Sequence, residues 1–366
     1  WMTSNGTAIE WGVRTVHGST AFTGSEMRMD PPSSASQYLP YLFFTTWVAV
    51  AGEDVNLQFL VENVANITTI DNAVVFAMNL SDDLTTSDWK YNENNSTVDL
   101  GTADRIGGTV TFTPAEASDW LVLTRARYDP GTITISYQSA IDRTGEATSA
   151  LPEMILEPDA ATEFLHLACA RVFALTAVSN TFAEVSRASA AGGAADNITN
   201  SAVFCLNLNK FRDKASVYTE AEIDLSGAAD YATEIQTLAI TPSVLSDVLV
   251  IGSAGSDSEA SGVGGKVRIQ LDNVDEPGGG DHGQLGDAQP RVRRQPPQGG
   301  ELLFGEVICD SFHDGYHMHI AQPLSRSAAT FQLLFTGVES KATAKGAISK
   351  IVTVPSPSKS GLLKTV

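Results

Sequence analysis

A block of sequence recurs in this chain at a fixed distance. Residues 111–123 read TFTPAEASDWLVL and residues 239–251 read AITPSVLSDVLVI, so Thr113, Pro114, Ser118 and Asp119 return 128 positions later as Thr241, Pro242, Ser246 and Asp247. The same offset relates AVVFAMNL at 73–80 to SAVFCLNL at 201–208. Self-similarity at one period means that a single structural unit has been copied along the chain. Whatever the unit folds into, the chain is expected to hold it twice.

The unit reads as β. From Tyr38 onward the apolar stretches are short, rich in β-branched and aromatic residues, and separated by Gly, Asn, Asp, Ser and Pro: VNLQFLVENV, GTVTFTP, DWLVLTRARY, then FLHLACARVFALTAV, DVLVIGSAG and KVRIQLDNV. That pattern predicts a β-sandwich. The fold class is therefore all-β, with two tandem, duplicated sandwich units and extended arms at both ends. Residues 1–35 read as an extended N-terminal arm, 36–145 as the first unit and 146–161 as a Pro-rich acidic linker. Residues 162–353 read as the second unit, including a flexible loop at 275–300 and added strands at 301–353, with 354–366 as a C-terminal tail. In the repeat itself, Thr before Pro suits a helix N-terminus. The segments at 113–119 and 241–247 are thus expected to make one helical turn, with Ser118/Asp119 and Ser246/Asp247 as backbone caps.

Composition narrows the function classes. Asp and Glu number 43 against 23 Lys and Arg, a formal charge of −20, and such a surface repels phosphate backbones. RVRR at 291–294 is the basic cluster, so nucleic acid contact is expected only through Arg291, Arg293 and Arg294. No apolar run reaches the length of a membrane helix, and membrane insertion is not expected. The three cysteines, Cys169, Cys205 and Cys309, are too scattered for a disulfide framework. Cys169 and Cys205 sit in apolar runs and are expected in the core.

Candidate chemistry is sparse. His317 and His319 in YHMH project to one face of a strand and are the candidate metal ligands. Trp89 and Tyr91 in SDWKYNENN are the candidate aromatic platform for a glycan. Asn79 lies in a sequon whose copy, Asn207, has none, so a shared structural hydrogen bond is expected of that pair in place of sugar. No phosphate-binding loop, nucleophile elbow or zinc spacing is present. The chain is expected to need no cofactor and not to be an enzyme.

Tandem sandwich units with long polar arms resemble virion structural proteins built from jelly-roll-like units, such as double jelly-roll capsid proteins and phage decoration or fibre proteins. The resemblance implies self-assembly, with copies of the chain and other virion proteins as partners, and a place in the virion after assembly in the host cytoplasm. A receptor- or glycan-binding fibre or adhesin, with a host-surface glycan as partner, is the alternative, and a polysaccharide-active enzyme is a further one.

Overall fold

The structure, a computed structural model, describes residues 2–3, 11–29, 41–61, 69–70, 75, 77–81, 84–131, 135–144, 153–156, 164–189, 196–219, 223–224, 233–240, 246–258, 265–272, 303–309, 315–320, 324–326, 329–337 and 342–354. The N-terminal strands are β1 (Met2–Thr3), β2 (Trp11–His17), β3 (Thr20–Ala21), β4 (Met27–Met29), β5 (Val55–Val61) and β6 (Thr69–Ile70). β2 pairs with β3 and β4 along one edge and with β5 along the other, and β1 pairs with β6.

Next come β7 (Trp89–Asn94), β8 (Val98–Asp99), β9 (Arg105–Phe112), β10 (Ser118–Asp129), β11 (Tyr137–Arg143), β12 (Glu153–Leu156), β13 (Leu165–Leu175), β14 (Asn180–Ala188) and β15 (Asn197–Asn207). They form two sheets, β13-β10-β15-β7 and β12-β11-β14-β9, with β8 on β15. If β8 is counted with β7, this is an eight-stranded roll with sheet orders 6-3-8-1 and 5-4-7-2. That antiparallel double-sheet arrangement is a jelly roll.

The remaining strands are β16 (Lys214–Thr219), β17 (Ile223–Asp224), β18 (Thr233–Ile240), β19 (Ser246–Ser258), β20 (Gly265–Asp272), β21 (Leu303–Cys309), β22 (Gly315–Ile320), β23 (Leu324–Arg326), β24 (Ala329–Gly337) and β25 (Ala342–Val354). Their sheets run β22-β19-β25-β16, with β23 on β19 and β17 on β25, and β21-β20-β24-β18. Strand for strand, this is the order of the first roll.

The division of the chain differs from the sequence expectation. β10 pairs with β13 and β15, which joins residues assigned to separate units, and β12 lies inside the stretch read as a linker. The sheets divide between Asn207 and Lys214. A recurring sequence block gives a spacing but no phase, and a jelly roll closes by pairing its eighth strand with its first and third, so the boundary is set by long-range pairing. The N-terminal arm is also corrected. Residues 11–29 form a sheet with β5 and dock on their own chain, where Arg28 and Phe164 exchange backbone hydrogen bonds of 3.0 and 2.9 Å.

Local sequence explains the central strand. In β10, Trp120, Val122, Ala126 and Tyr128 point into the first roll, while Leu121 and Leu123 join a second apolar cluster on the outer face with Leu206, Leu208 and Phe211. A strand covered on both faces loses the polar alternation of a half-exposed one. The interior is aromatic, with Phe112 against Trp120 at 4.3 Å, Phe173 against Phe182 at 4.9 Å and Tyr128 against Tyr137 at 5.4 Å between ring centroids. Cys169 and Cys205 are buried there and neither forms a disulfide.

The repeat block opens equivalent strands. Ser118 and Asp119 begin β10, and Ser246 and Asp247 begin β19, the third strand of each roll. In the first copy the expected helical turn and caps are not found: residues 113–117 have no helical structure, and residues 241–245 lie outside the described residues. Ser118 Oγ instead donates to Glu116 O (3.1 Å) and accepts from Trp120 Nε1 (2.9 Å), while Asp119 pairs with Lys214 at 3.3 Å. Thr113 and Pro114 lie in the irregular stretch before β10, and Thr241 and Pro242 lie outside the described residues. Asn79 and Asn207 do make equivalent hydrogen bonds. Each side-chain oxygen accepts from the backbone N–H two residues on, Ser81 N at 2.9 Å and Asn209 N at 3.0 Å.

Candidate functional site

Two buried polar clusters mark the first roll. The inner one follows from alternation in β14: Phe182 faces the core, so Glu184, Ser186 and Ala188 do as well, and a carboxyl group is carried between the sheets. Glu184 is fully buried. Its Oε1 accepts from Ser139 Oγ at 2.9 Å and from Ser186 Oγ, which also meets Tyr128 OH at 2.5 Å. Its Oε2 and the nearby Ser201 Oγ have no hydrogen-bond partner among the described residues. Burial raises the Glu184 carboxyl from the ordinary 4.5 to about 7, against the lowering effect of the Ser186 and Ser139 hydroxyls. The cluster can therefore take up or release a proton near neutrality, sealed from bulk water.

Gly107 on β9 makes room for it. A methyl group there would overlap Glu184 Oε2 and Ser201 Oγ, so Gly107→Ala is expected to destabilise the roll by about 1–3 kcal/mol, the usual cost of overpacking. Urea denaturation checks this. Gly107→Ala combined with Glu184→Ala should recover part of the loss.

The outer cluster lies between β10 and the N-terminal layer. Arg125, fully buried, donates from Nε to Phe44 O (2.8 Å), from Nη2 to Glu93 Oε1 (3.1 Å) and from Nη1 to Asn200 Oδ1. Its guanidinium stacks on Phe43, 4.3 Å from the ring centroid. Asn200 Nδ2 donates to Glu93 Oε1 at 2.7 Å. Gly24, in a left-handed conformation at φ +69°, packs so close to Asn200 that any side chain would collide with it. Nearby, His166 is buried and its Nε2 meets Glu26 O at 2.9 Å. Burial, with the Arg125 and Arg127 charges, lowers its pKa to about 3, so the ring is neutral and donates this bond. This constellation fastens the N-terminal layer to the sheet.

The residues singled out from sequence lie elsewhere. Trp89 packs half-buried in the outer apolar cluster. Tyr91 donates to Glu93 Oε2 at 2.8 Å and lies 3.2 Å from Thr45 Oγ1, and burial raises its hydroxyl to about 12. The pair is thus part of the packing beneath the N-terminal layer, not an exposed platform, because Leu42, Phe44 and Thr45 lie against it. His317 and His319 fall on one strand, β22, opposite Ala254 and Gly252. Arg291, Arg293 and Arg294, with the loop at 275–300, lie outside the described residues. Glu184 and Arg125 were not singled out. The signal for Glu184 was parity with Phe182; for Arg125 none was available, since its cover comes from residues 81 positions away.

No protein-family model matches the chain, and no curated protein sequence matches it. Among solved structures it is similar to PNGase F, a glycosylasparaginase from Flavobacterium meningosepticum, at 10% identity and a TM-score of 0.34, covering 73% of this chain and 96% of that one. It is also similar to the triple jelly-roll protein of an archaeal virus turret assembly, at 10% identity and a TM-score of 0.21, covering 96% of this chain and 78% of that one. A third is the VP2 subviral particle of infectious bursal disease virus, at 10% identity and a TM-score of 0.22, covering 76% and 74%. Viral jelly-roll proteins thus stand among its structural neighbours. The expectation that the chain is not an enzyme is corrected by the first of these comparisons: an all-β chain without a recognisable catalytic motif is no ground for excluding activity.

Proposed function

We propose that this chain is a virion structural protein, a capsid or head or tail component, with copies of itself and other virion proteins as partners. The observation that carries the reading is the tandem arrangement of two jelly rolls with one strand order, joined through packed side chains. Only the 3₁₀ turn Leu208–Lys210 and a few residues separate β15 from β16. Lys210 pairs with Asp88 at 3.2 Å, Lys214 pairs with Asp119 at 3.3 Å, and the Arg171 guanidinium stacks over Tyr218 at 4.6 Å. Ile251 of β19 packs in the first roll's outer cluster. Repeated rolls fixed against one another form a rigid unit whose surfaces can be reused in a wall. A formal charge of −20 keeps such subunits apart until counterions screen it, so assembly should respond to ionic strength.

The test is light scattering and negative-stain microscopy of the purified chain across rising salt. Shells, tubes or rings that appear as salt increases are expected. A monomer at every salt concentration, or release of N-linked glycan from a glycoprotein incubated with the chain, would overturn the proposal in favour of a binding protein or an enzyme.

A further inference from the structure

The N-terminal strands repeat the pairing of the third, fourth, fifth, seventh and eighth strands of a roll. In the first roll, Tyr137 opens the fourth strand and lies opposite Leu156 and Ala188, the last residues of the fifth and seventh. In the second roll, Gly265 opens the fourth strand opposite Cys309 and Gly337, again the last residues of the fifth and seventh. Trp11 opens β2 opposite Met29 and Val61, the last residues of β4 and β5. These three opening residues, Trp11, Tyr137 and Gly265, are spaced by 126 and 128 positions.

The correspondence extends beyond one sheet. Met2 and Thr3 lie opposite Ile70 and Thr69, as Tyr128 and Asp129, ending the third strand, lie opposite Ile198 and Asn197, which begin the eighth. Asn79 makes the same turn as Asn207 just before the next roll's first strand. Stacking repeats too: β4 abuts β13, as β12 abuts β22, the fifth strand of one roll against the sixth of the next.

In both complete rolls the seventh strand carries the second on its far edge, β9 on β14 and β18 on β24. β5, the seventh strand of the N-terminal set, pairs with β2 alone among the described residues. Its Phe59 and Leu60 are 36% and 52% exposed. An apolar sheet edge with unpaired backbone groups is a template for another strand.

We infer that β1 to β6 belong to a third jelly roll, and that the open edge of β5 seats a segment of the kind that forms the leading strands of such a roll. The occupant has the chemistry of residues 89–112: an extended segment, antiparallel to β5, with β-branched and aromatic side chains at alternate positions. This inference is independent of the virion reading.

The experiment adds synthetic peptides of residues 89–112 and 214–240, each up to millimolar concentration, to the full chain and follows amide hydrogen exchange. The β5 amides that point away from β2 should exchange fast in the free chain and slow at least tenfold with one of the peptides. Phe59→Lys with Leu60→Lys should weaken that binding at least tenfold while leaving the circular dichroism spectrum unchanged. Absence of protection by either peptide would overturn the inference. So would slow β5 exchange in the free chain that depends on its concentration and vanishes in the lysine variant, because a second copy would then be the occupant.

Discussion

Arg125→Ala should destabilise the chain by about 3–5 kcal/mol, the cost of breaking a buried ion pair from one side. The substitution removes the donor to Phe44 O, leaves Glu93 Oε1 facing Asn200 without its cation, and uncovers the Phe43 ring. Because the guanidinium bridges the N-terminal layer and β10, the loss should fall first on that layer. Residues 41–61 are expected to become protease-sensitive at urea concentrations where the first roll is still folded. Replacing the whole set by apolar residues, Arg125→Met with Glu93→Leu and Asn200→Leu, should restore most of the stability, since desolvation of the charges then no longer counts against folding. Equal stability of Arg125→Ala and the parent chain in urea denaturation would show that the cluster does not fasten the layer.

The second large effect concerns pH. Glu184 holds its proton more tightly in the folded chain than in the unfolded one, with a pKa near 7 against 4.5. Its neutral form therefore favours the fold below pH 4.5, and that contribution is lost as pH rises towards 7 and stays lost above it. His166 acts in the opposite sense. Its pKa falls from 6.5 to about 3 on folding, so the neutral ring contributes fully above pH 6.5 and the contribution disappears as pH falls towards 3. Each is on the order of 3 kcal/mol or more by linkage.

Between about pH 4.5 and 6.5 the two slopes oppose, and stability should be nearly level there. Glu184→Gln keeps a group able to accept from Ser139 and Ser186 but removes the titration, so its stability should climb from pH 3 to 6.5 and then stay flat. His166→Gln should instead lose stability steadily from pH 4.5 to 7. Other shifted carboxylates, such as Asp88 and Glu53, with lowered values, enter both variants alike and cancel in the comparison. Thermal midpoints measured across this range check the result. Parallel pH profiles for both variants would show that neither group is held as described.

The interior of the first roll was more legible than its outside. Alternation along β10 and β14 marks Trp120, Val122, Phe182 and even Glu184 as inward-facing, because side-chain parity in a strand is local. The expected capping turn at Ser118 and Asp119 failed because their oxygens have other partners: a tryptophan two residues on takes that of Ser118, and a lysine 95 positions away, which no local rule contains, takes that of Asp119. The outward side chains Arg125, Trp89 and Tyr91 could not be assigned from their own neighbourhoods. Whether they meet water or protein depends on residues 42–45, which lie far off in sequence and near in space.

The sequence by itself determined that the chain is all-β, that it is periodic at about 128 residues, and that Cys169 and Cys205 belong to a core, because periodicity and apolar alternation are written residue by residue. Only the tertiary structure decided where each roll starts, that the N-terminal strands form a docked sheet in which β5 pairs with β2 alone among the described residues, and that Arg125 is buried. Those outcomes depend on which distant strands share hydrogen bonds, and in a jelly roll such partners are separated by most of the length of the unit.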